Sequence, residues 1–413
     1  MKSLQELIND ADDLQKRLAQ HKVDLHEYAE SLAESHVTVD IGKLMMKASH
    51  CKFERHILQD INDEYVSSIY LTLLLSVAQV DNVTDKGENH PALYVCRIAS
   101  ALPTIPDMDR LLKNSLILSE KEISEYADAL AQHKLDDIFI FDALMMTCCY
   151  DSGNERKFEY IAEMVTLFGI KENLVNEILI VVQAATNLNA VLSHNFQFIN
   201  FDSFFNVFYQ LQGRVDMHIE TNDYFIESYV SPLSAEQCNL SRSTIRQKKY
   251  VILSNIIFTQ RNYIQNCKQV YINNCVYKNC QECVLLISDC NKVTIKETLF
   301  KDIDVHGIKL TACLMLVQNT ACISFEFCNF DNVAQFESKT NANEGCYNNT
   351  GIIMIARNVS KVNVQNSSFY NCRVKYFESG HVTEYFTKKL LYGLKSDEVE
   401  YENCKFNNSC VLI

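Results

Sequence analysis

The stretch CKQVYINNCVYKNC at residues 267–280 contains three cysteines and three asparagines, and it decides the fold of the C-terminal half. From Val270 onward it is one line of a repeat. The other lines are VTIKETLFKDI from Val293, ISFEFCNFDNV from Ile323, VNVQNSSFYNC from Val362, VEYENCKFNNS from Val399 and, as a poorer match, VILSNIIFTQR from Val251. Position one is always Val or Ile, position eight is aromatic, and position ten is Asn or Asp in the five better lines.

Each column of the repeat has a physical meaning. Apolar residues at positions one and three alternate as on the inner face of a strand, and position eight is expected to stack rings from line to line. Asn or Asp at position ten predicts a bend, where side chains can hydrogen-bond to one another along the axis. A further strand precedes the lines, at CVLLIS from Cys283, CLMLVQ from Cys313 and GIIMIARN from Gly351. Three strands and polar corners per coil predict a parallel β-helix over residues 215–413.

The repeat resembles the pectate-lyase-like family of parallel β-helices, which implies a right-handed solenoid. That family includes polysaccharide lyases and hydrolases, which present Asp pairs, or Arg and Lys with calcium-binding acids, on one strand face. The outward positions here, such as Thr294 and Lys296, contain no stacked Asp pair and no Arg–Lys cluster. The sequence contains no tryptophan, and this absence is unusual for a sugar-binding surface. A non-enzymatic role is therefore favoured, and the alternative is a polysaccharide lyase or glycoside hydrolase that uses the loop face.

The seventeen cysteines are expected to be reduced thiols, because the N-terminal sequence MKSLQELINDADDLQKRL shows no export signal. Cys275, Cys328 and Cys404 share position six of the repeat, and we expect them to pack inside the coils as compact hydrophobic groups. The CxxC pair of Cys280 and Cys283 leaves zinc as an alternative, but a second pair at the spacing of a zinc knuckle is missing. We therefore expect no cofactor.

Insertions mark one corner of the predicted coils. After Ile303, Val333 and Cys372 the chain adds 9, 18 and 16 residues before the next coil. One-sided insertions usually form the binding face of a solenoid, although they can also be variable decoration. The candidate partner-binding residues in these loops are His306, Glu337, Glu344, Tyr347, Tyr376, Phe377, Glu378, His381, Glu384 and Tyr385.

The N-terminal half has a helical pattern. Residues 37–192 are predicted to form an all-α bundle, followed by a linker at 193–214. Apolar residues at a 3–4 spacing over residues 4–32 predict a long amphipathic helix at 1–36, either a coiled coil or a helix packed on its own bundle. VTVDI at 37–41 is the one strand signal in this half. Helices of the bundle are predicted at 53–82, 90–101, 107–117, 120–134, 136–149, 155–168 and 172–188.

Residues 143–183 resemble the TerB-like family of tellurite-resistance helical bundles. The resemblance lies in a helix followed by Asp151 and Gly153, then Glu159 on a new helix, then LFGI. It implies an acidic spot at Asp151 and Glu159 that binds a cation or a partner, and a role in a stress response or antiviral defence. A serine separates Asp151 from Gly153, and Asn154 stands where the family has an apolar residue. The residues alone equally allow an Asp helix cap, a Gly with positive φ and a Glu favoured by the helix dipole.

The bulk composition limits the partners. A formal net charge of −14 argues against nucleic acid, because phosphate binding requires a basic face. The longest apolar run, IYLTLLLSVAQV from Ile69, is too short to span a bilayer. The motifs of P-loop, dinucleotide-binding, serine hydrolase and zinc protease sites do not occur. We therefore expect a cytoplasmic interaction or scaffold protein that binds an unidentified protein partner through its one-sided loops.

Two further expectations concern the end of the sequence. The tetrapeptide CVLI places Cys410 in a C-a-a-X pattern, which leaves a prenylated, membrane-associated protein as a further alternative. No polybasic segment precedes it, and a single lipid anchors poorly alone. A homo-oligomer, most simply a dimer, is expected because the last coil exposes strand edges and the seam at residues 4–32 offers a second surface.

Overall fold

The computed structural model describes residues 39–61, 63–80, 90–150, 154–187, 191–238, 240, 244–306, 313–338, 352–378, 381–385, 390–392 and 398–407. The predicted helix at 1–36 lies outside this part of the chain. Four candidate site residues also lie outside it, namely Asp151, Glu344, Tyr347 and Cys410.

Contacts divide the chain into two units. The first consists of Met1–Thr186 with Phe198–Gln210, and the second of Asn187–Gln197 with Leu211–Ile413. The described part of the first unit is helical, whereas the second is built mainly from a large, mostly parallel sheet. The protein is therefore of the α plus β class, with its helices in the N-terminal half as predicted.

Five of the α-helices in the described ranges begin at a side chain that caps them. Asp40, Asp63, Asp107, Ser119 and Asn154 each accept a backbone hydrogen bond from the first turn of a helix. No helix in the described ranges is long and apolar enough to cross a membrane. The α-helices of these ranges are α1 (Ile41–His50), α2 (Glu64–Gln79), α3 (Ala92–Ala99), α4 (Met108–Ser115), α5 (Glu120–Gln132), α6 (Asp136–Tyr150), α7 (Glu155–Leu167), α8 (Glu172–Thr186) and α9 (Phe201–Leu211).

A capping box forms at the start of α5. The backbone N–H of Glu122 donates to Ser119 Oγ at 3.3 Å, and the backbone N–H of Ser119 donates to the Glu122 carboxylate at 2.8 Å. Two unpaired donors at the helix N-terminus are thereby satisfied reciprocally.

Three details of the helical half differ from the sequence prediction. The strand signal at 37–41 is wrong, because Asp40 caps α1 and accepts from the Lys43 N–H at 2.9 Å. The helix predicted at 53–82 is divided into a short 3-10 helix at Ile57–Asp60 and α2, because Asp63 accepts from two N–H groups and starts a new helix. Helix α9 lies in the stretch assigned to the linker. Its phenylalanines follow a helical spacing, and Phe204 packs 5.6 Å from the ring of Phe141.

Helices α2 and α6 supply much of the core of the helical unit. Tyr70, Leu71 and Leu73 of α2 are fully buried, as is Phe139 of α6. The rings of Tyr70 and Phe139 meet edge to face, with 5.6 Å between their centroids. A helix that is apolar on nearly all sides is stable only when other helices surround it.

The strands of the second unit are short, and their pairing is parallel apart from two antiparallel pairs, β2 with β3 and β16 with β17. In the described residues they are β1 (Val191–Leu192), β2 (Asp216–Glu220), β3 (Tyr224–Ser234), β4 (Thr244–Arg246), β5 (Tyr250–Phe258), β6 (Asn262–Gln265), β7 (Gln269–Asn273), β8 (Val276–Lys278), β9 (Leu285–Ser288), β10 (Lys292–Lys296), β11 (Leu299–His306), β12 (Met315–Glu326), β13 (Asn329–Ser338), β14 (Met354–Gln365), β15 (Ser368–Tyr370), β16 (Arg373–Glu378), β17 (His381–Tyr385), β18 (Leu391–Tyr392), β19 (Val399–Glu402) and β20 (Lys405–Asn407).

The parallel strands form three columns. The first runs through β4, β6, β9, the starts of β12 and β14, and β18. The second runs through β3, β5, β7, β10, the ends of β12 and β14, and β19. The third runs from the end of β5 through β8, β11, β13, β15 and β20. Position one of the repeat stays in register throughout the second column, at Val251, Val270, Val293, Ile323, Val362 and Val399.

Residues with positive φ separate the columns. The bend predicted at position ten is confirmed, and position five bends in the same way. Asn is the most frequent residue at these corners because it tolerates the left-handed region better than most residues with a side chain. The corner residues, with φ between 47° and 56°, are Gln247, Asn266, Asp289, Asn319 and Asn358 after the first column, Asn255, Asn274, Glu297, Phe327, Asn366 and Asn403 after the second, and Asn279, Asp302, Asn332 and Asn371 after the third.

Corner side chains hydrogen-bond from coil to coil, as the sequence predicted. After the third column, Asn332 Nδ2 donates to Asp302 Oδ1 at 2.7 Å, and Asn371 Nδ2 donates to Asn332 Oδ1 at 3.2 Å. After the first column, Asn319 Nδ2 donates to Asp289 Oδ1 at 2.9 Å. These ladders link neighbouring coils in addition to the backbone pairing.

The aromatic residues at position eight form one continuous stack inside the sheet. Successive ring centroids are 4.6–5.0 Å apart, from Phe258 through Tyr277, Phe300, Phe330 and Phe369 to Phe406. All but the last are buried. The stacking predicted for this column is confirmed.

Tyr277 is the one tyrosine in this stack, and its hydroxyl is buried without a hydrogen-bond partner in the described chain. Replacing Tyr277 by phenylalanine is expected to raise the free energy of unfolding by about 1 kcal/mol, because an unsatisfied buried polar group is removed. Hydrogen exchange of peptides from residues 269–306 would measure the change. The matched control is Tyr263→Phe, since the Tyr263 hydroxyl accepts a bond from Arg261 at 3.1 Å. Equal effects of the two substitutions would contradict the explanation.

Candidate functional site: a lateral sheet at one corner of the coils

The insertions after the third column begin as strands, not as irregular loops. Residues 303–306 of β11, 333–338 of β13, Arg373–Glu378 and His381–Tyr385 pair side by side, and we call them the lateral sheet. The first three pair in parallel and the fourth in antiparallel fashion. Neighbouring strands of a sheet lie about 4.8 Å apart, so continued pairing satisfies N–H and C=O groups that a loop would leave to solvent.

Eight of the ten predicted partner-binding residues lie in this lateral sheet. Glu337 is in register with Tyr376, and Glu378 is in register with His381. His306 lies in the row of Phe336, Lys375 and Glu384. The remaining members of the set are Phe377, opposite Ser338 and Val382, and Tyr385, opposite Val374. Three separate insertions of the sequence therefore contribute to one sheet.

Arg373 fixes the base of the lateral sheet to the asparagine ladder. Its side chain is buried, and Nη1 donates to Asn332 Oδ1 at 2.6 Å and to the Asn371 carbonyl at 2.9 Å. On β11, which pairs with the other edge of β13, the His306 N–H donates to the Gln281 carbonyl at 2.8 Å. These bonds give the insertions a defined starting point, which favours a preorganised binding surface.

The cysteines of the coils are donors as well as hydrophobic groups. The residue after each corner is frequently Cys, Ser or Thr, and its thiol or hydroxyl donates to the carbonyl two residues earlier. Cys275 reaches the Asn273 carbonyl at 3.3 Å, Thr298 the Lys296 carbonyl at 2.9 Å, and Ser367 the Gln365 carbonyl at 2.8 Å. Position six of the five better lines of the repeat is occupied by Cys, Thr or Ser, and this set of residue types is the sequence signal of the donor role. The interpretation of the cysteines as hydrophobic groups overlooks that role.

Two thiol pairs lie in register on adjacent coils, and hydrogen bonding within each pair lowers the pKa of one partner. The Cys290 thiol lowers the pKa of Cys267 to about 7. The Cys313 thiol lowers the pKa of Cys283, and the Arg261 guanidinium acts in the same direction. Elsewhere burial dominates, and it raises the pKa of Cys275 to about 12. All four thiols of the pairs are buried, so these pKa shifts occur away from solvent.

The acidic spot inferred from the TerB resemblance is only partly described. Glu159 is exposed on α7, and Asp151 lies outside the described residues. The cap of α7 is Asn154, which accepts from the Lys157 N–H at 3.4 Å, so the capping role considered for Asp151 belongs to its neighbour. No group of three metal-ligating side chains occurs in the parts of the chain that the structure describes.

A buried carboxylate joins four segments of the helical unit. Asp142 on α6 accepts from His56 Nε2 at 2.9 Å, from the Tyr70 hydroxyl at 2.5 Å and from the Tyr94 hydroxyl at 2.8 Å. The other ring nitrogen of His56, Nδ1, accepts from the Leu58 N–H at 3.3 Å, which places the proton on Nε2. Both nitrogens are therefore engaged, and the cluster acts as an internal junction.

Two further buried carboxylates hold the segment before α9. Glu177 accepts from the N–H groups of Phe198 and Ile199 at 2.9 and 2.8 Å. Asp137 accepts from the Ile138 N–H at 2.8 Å and also from the backbone of Asn200. Burial raises the pKa of Asp137 to about 7, and the nearby charge of Asp136 adds to the effect.

The raised pKa of Asp137 predicts a pH-dependent stability. The folded state favours the protonated Asp137 carboxyl. The contribution of this group to the stability of the protein is therefore complete below about pH 4, and it is lost as the pH rises to about 7. The side chain of the Asp137→Asn variant stays neutral at every pH. Between pH 5 and pH 8 we therefore expect the free energy of unfolding of the variant to rise by roughly 2–3 kcal/mol relative to that of the unmodified protein. Urea unfolding followed by circular dichroism at the two pH values measures this gain. Asp128→Asn, on an exposed position of α5, is the control; an equal gain there would contradict the assignment.

A scan against protein-family models finds no matching family, and searches of curated proteins and of solved structures find no match to this chain.

Proposed function

We propose that this chain is a non-enzymatic cytoplasmic interaction or scaffold protein whose lateral sheet contacts a protein partner. The observation that carries the proposal is the convergence of residues from three insertions, including His306, Glu337 and Tyr376, in one paired sheet.

The composition of the lateral sheet supports protein recognition. Tyr376, Phe377 and Tyr385 supply aromatic residues of the kind that anchor interfaces. Glu337, Glu378, Glu384 and Lys375 add charges of both signs, and protein interfaces commonly include such polar residues. The base at Arg373 is fixed by hydrogen bonds, which reduces the ordering that binding would otherwise require.

We further propose that the second unit is a right-handed parallel β-helix. The support is the repetition of three strand columns, each ending at a corner residue with positive φ, together with the in-register stack of rings at position eight. Stacked coils of this kind form a rigid support, so that one-sided insertions present a stable face to a partner.

The helical unit contributes the possible biological context. A TerB-like element at residues 143–183, with Asp151 and Glu159 as its cation or partner contact, would place the protein in a stress response or antiviral defence. Support comes from the sequence resemblance and from the exposure of Glu159 on α7. If partner capture and calcium response are unchanged in Asp151→Ala and Glu159→Ala, this element of the proposal is wrong.

Site-specific photo-crosslinking tests the lateral sheet directly. A photoreactive amino acid replaces Tyr376 in the full chain, in cells of the source organism. The control carries the same group at Tyr370, which is 47% exposed on β15 but outside the lateral sheet. We expect discrete protein adducts from position 376 and few from position 370. The same adducts from both positions, or none from 376, would contradict a binding role.

A further inference from the structure

Two cysteines of neighbouring coils lie side by side just before β9 and β12. The Val284 N–H donates to the Leu314 carbonyl at 2.9 Å, so the two backbones are already adjacent there. Cys283 and Cys313 directly precede these two residues, and their thiols hydrogen-bond to each other. Neighbouring strands of a sheet lie about 4.8 Å apart, which is inside the Cα separation of roughly 4.4–6.8 Å found in disulfides.

This thiol pair packs away from the main core of the coils. Cys283 and Cys313 belong to a small cluster of their own, with Leu286, Leu316 and Ile355. Leu286 alternates along β9 with residues of the main core, so the small cluster lies on the opposite face of the first column. The other thiol pair described above is part of the main core.

A guanidinium group lies beside the pair. Arg261 Nε donates to the Cys283 carbonyl at 2.9 Å, and Arg261 Nη2 pairs with the Glu282 carboxylate. The Glu282 side chain is 63% exposed, so the residue next to Cys283 reaches solvent. A neighbouring cation favours the thiolate, which is the nucleophilic form of cysteine.

The two thiols are not equivalent. Hydrogen bonding with Cys313 lowers the pKa of Cys283, and the charge of Arg261 acts in the same direction. Burial raises the pKa of Cys313 well above its usual value, and the hydrogen bond with Cys283 adds to the effect. A thiol suited to attack thus lies next to a second thiol that can resolve a mixed disulfide, as in redox-sensing cysteine pairs. Both thiols are buried, so their reaction requires a local opening of the chain.

We propose that Cys283 and Cys313 form a reversible redox site, which a small-molecule disulfide oxidises to a bond between neighbouring coils. The Cys283 thiolate attacks one sulfur of the small disulfide, and the thiolate that is released takes up the proton lost by Cys283. Cys313 then attacks the Cys283 sulfur of the mixed disulfide, and its proton leaves with the second small thiol. Two electrons pass from the protein to the small disulfide, so one S–S bond breaks and one forms.

The new bond closes the segment between residues 283 and 313, which contains β10 and β11. Cross-linking two neighbouring coils restricts the opening of this segment, from which the first insertion leaves. The proposal goes beyond the binding role of the lateral sheet and does not depend on it.

Peptide mass spectrometry on the full chain tests the proposal. The reduced protein is incubated with mixtures of oxidised and reduced glutathione, the remaining thiols are blocked with iodoacetamide, and the chain is digested with trypsin without reduction. We expect two peptides linked through Cys283 and Cys313, in a yield that rises with the proportion of oxidised glutathione. Dithiothreitol is expected to separate them. Absence of this linked pair in oxidised glutathione alone would overturn the proposal.

Cys275 and Cys328 provide an internal control in the same samples. Both are buried at position six of the repeat, but Thr298 of the coil between them separates them. Two strand spacings amount to about 9.6 Å, which exceeds the roughly 7 Å that a disulfide can span without backbone movement. We expect no link between these two residues. A link in equal yield would show that oxidation follows unfolding of the coils, and it would overturn the proposal.

Three variants assign the bond within the linked peptides. Cys283→Ser and Cys313→Ser are each expected to abolish the link, and serine keeps a hydrogen-bond donor at the substituted position. Cys290→Ser is the matched control, because Cys290 shares a tryptic peptide with Cys283 but belongs to the other thiol pair. A link that persists in Cys283→Ser, or that is lost in Cys290→Ser, would assign the oxidation to a different thiol and contradict the proposal.

Discussion

Asp142→Ala is expected to destabilise the helical unit by about 3–5 kcal/mol, which is a large share of the stability of a typical domain. The substitution leaves His56 Nε2 and the hydroxyls of Tyr70 and Tyr94 as buried donors without their acceptor. Burial already raises the pKa of both tyrosines well above their usual value, so neither can relieve the loss by ionising. The penalty is therefore the desolvation of three polar groups at once.

Urea unfolding followed at 222 nm would measure this effect, because the helices dominate the signal at that wavelength. Asp128→Ala is the control, since Asp128 is exposed on α5 and a change there is expected to stay within about 0.5 kcal/mol. Tyr70→Phe removes one donor but leaves the acceptor with two others, and we expect an intermediate loss. A loss below about 1 kcal/mol for Asp142→Ala would show that the junction is not a main source of stability.

Phe300→Ala is expected to lower the free energy of unfolding of the second unit by about 3–5 kcal/mol. The Phe300 ring is fully buried between Tyr277 at 5.0 Å and Phe330 at 4.8 Å, with interplanar angles of 8° and 4°. Its removal opens a cavity in a column where both neighbours are fixed by strand pairing, so the surroundings cannot close around it. The strand of Phe300 pairs with the strands of Tyr277 and Phe330, so the loss should be greatest in these adjacent strands.

Phe406→Ala provides the matched control for the stack. Phe406 occupies the same column and stacks on Phe369 at 5.0 Å, but it is 38% exposed. Its removal exposes less new surface, and we expect a loss of about 1 kcal/mol. Hydrogen exchange resolved by peptide would compare residues 269–306 with residues 360–372 in both variants. Equal losses would indicate that the position in the stack does not matter.

Much of the second unit could be predicted from local sequence. The columns at positions one, six, eight and ten correspond to strand register, corner donors, stacked rings and bends, because each coil repeats the same backbone path. The bend at position five is less visible, since Glu297 and Phe327 occupy it where Asn would be expected. Pairing with the coils on either side imposes the left-handed conformation on these residues despite their weak preference for it.

The candidate sites were less accessible to sequence reasoning. The insertions were assigned to loops because they interrupt the repeat at one corner, yet residues 334–338 and 373–377 pair as strands. In the helical unit, His56 and Asp142 are 86 positions apart, and no local pattern indicates their contact.

The sequence by itself determined the helical and strand-rich halves, the repeat, its corners and its aromatic column, because those features depend on periods of a few residues. Only the tertiary structure decided that three insertions form one lateral sheet, that Asp142 gathers three donors, and that a short helix lies at Phe201–Leu211 in the stretch assigned to a linker. The physical reason is that buried polar groups and strand edges are satisfied by partners brought close through folding, and such partners leave no regular spacing in the chain.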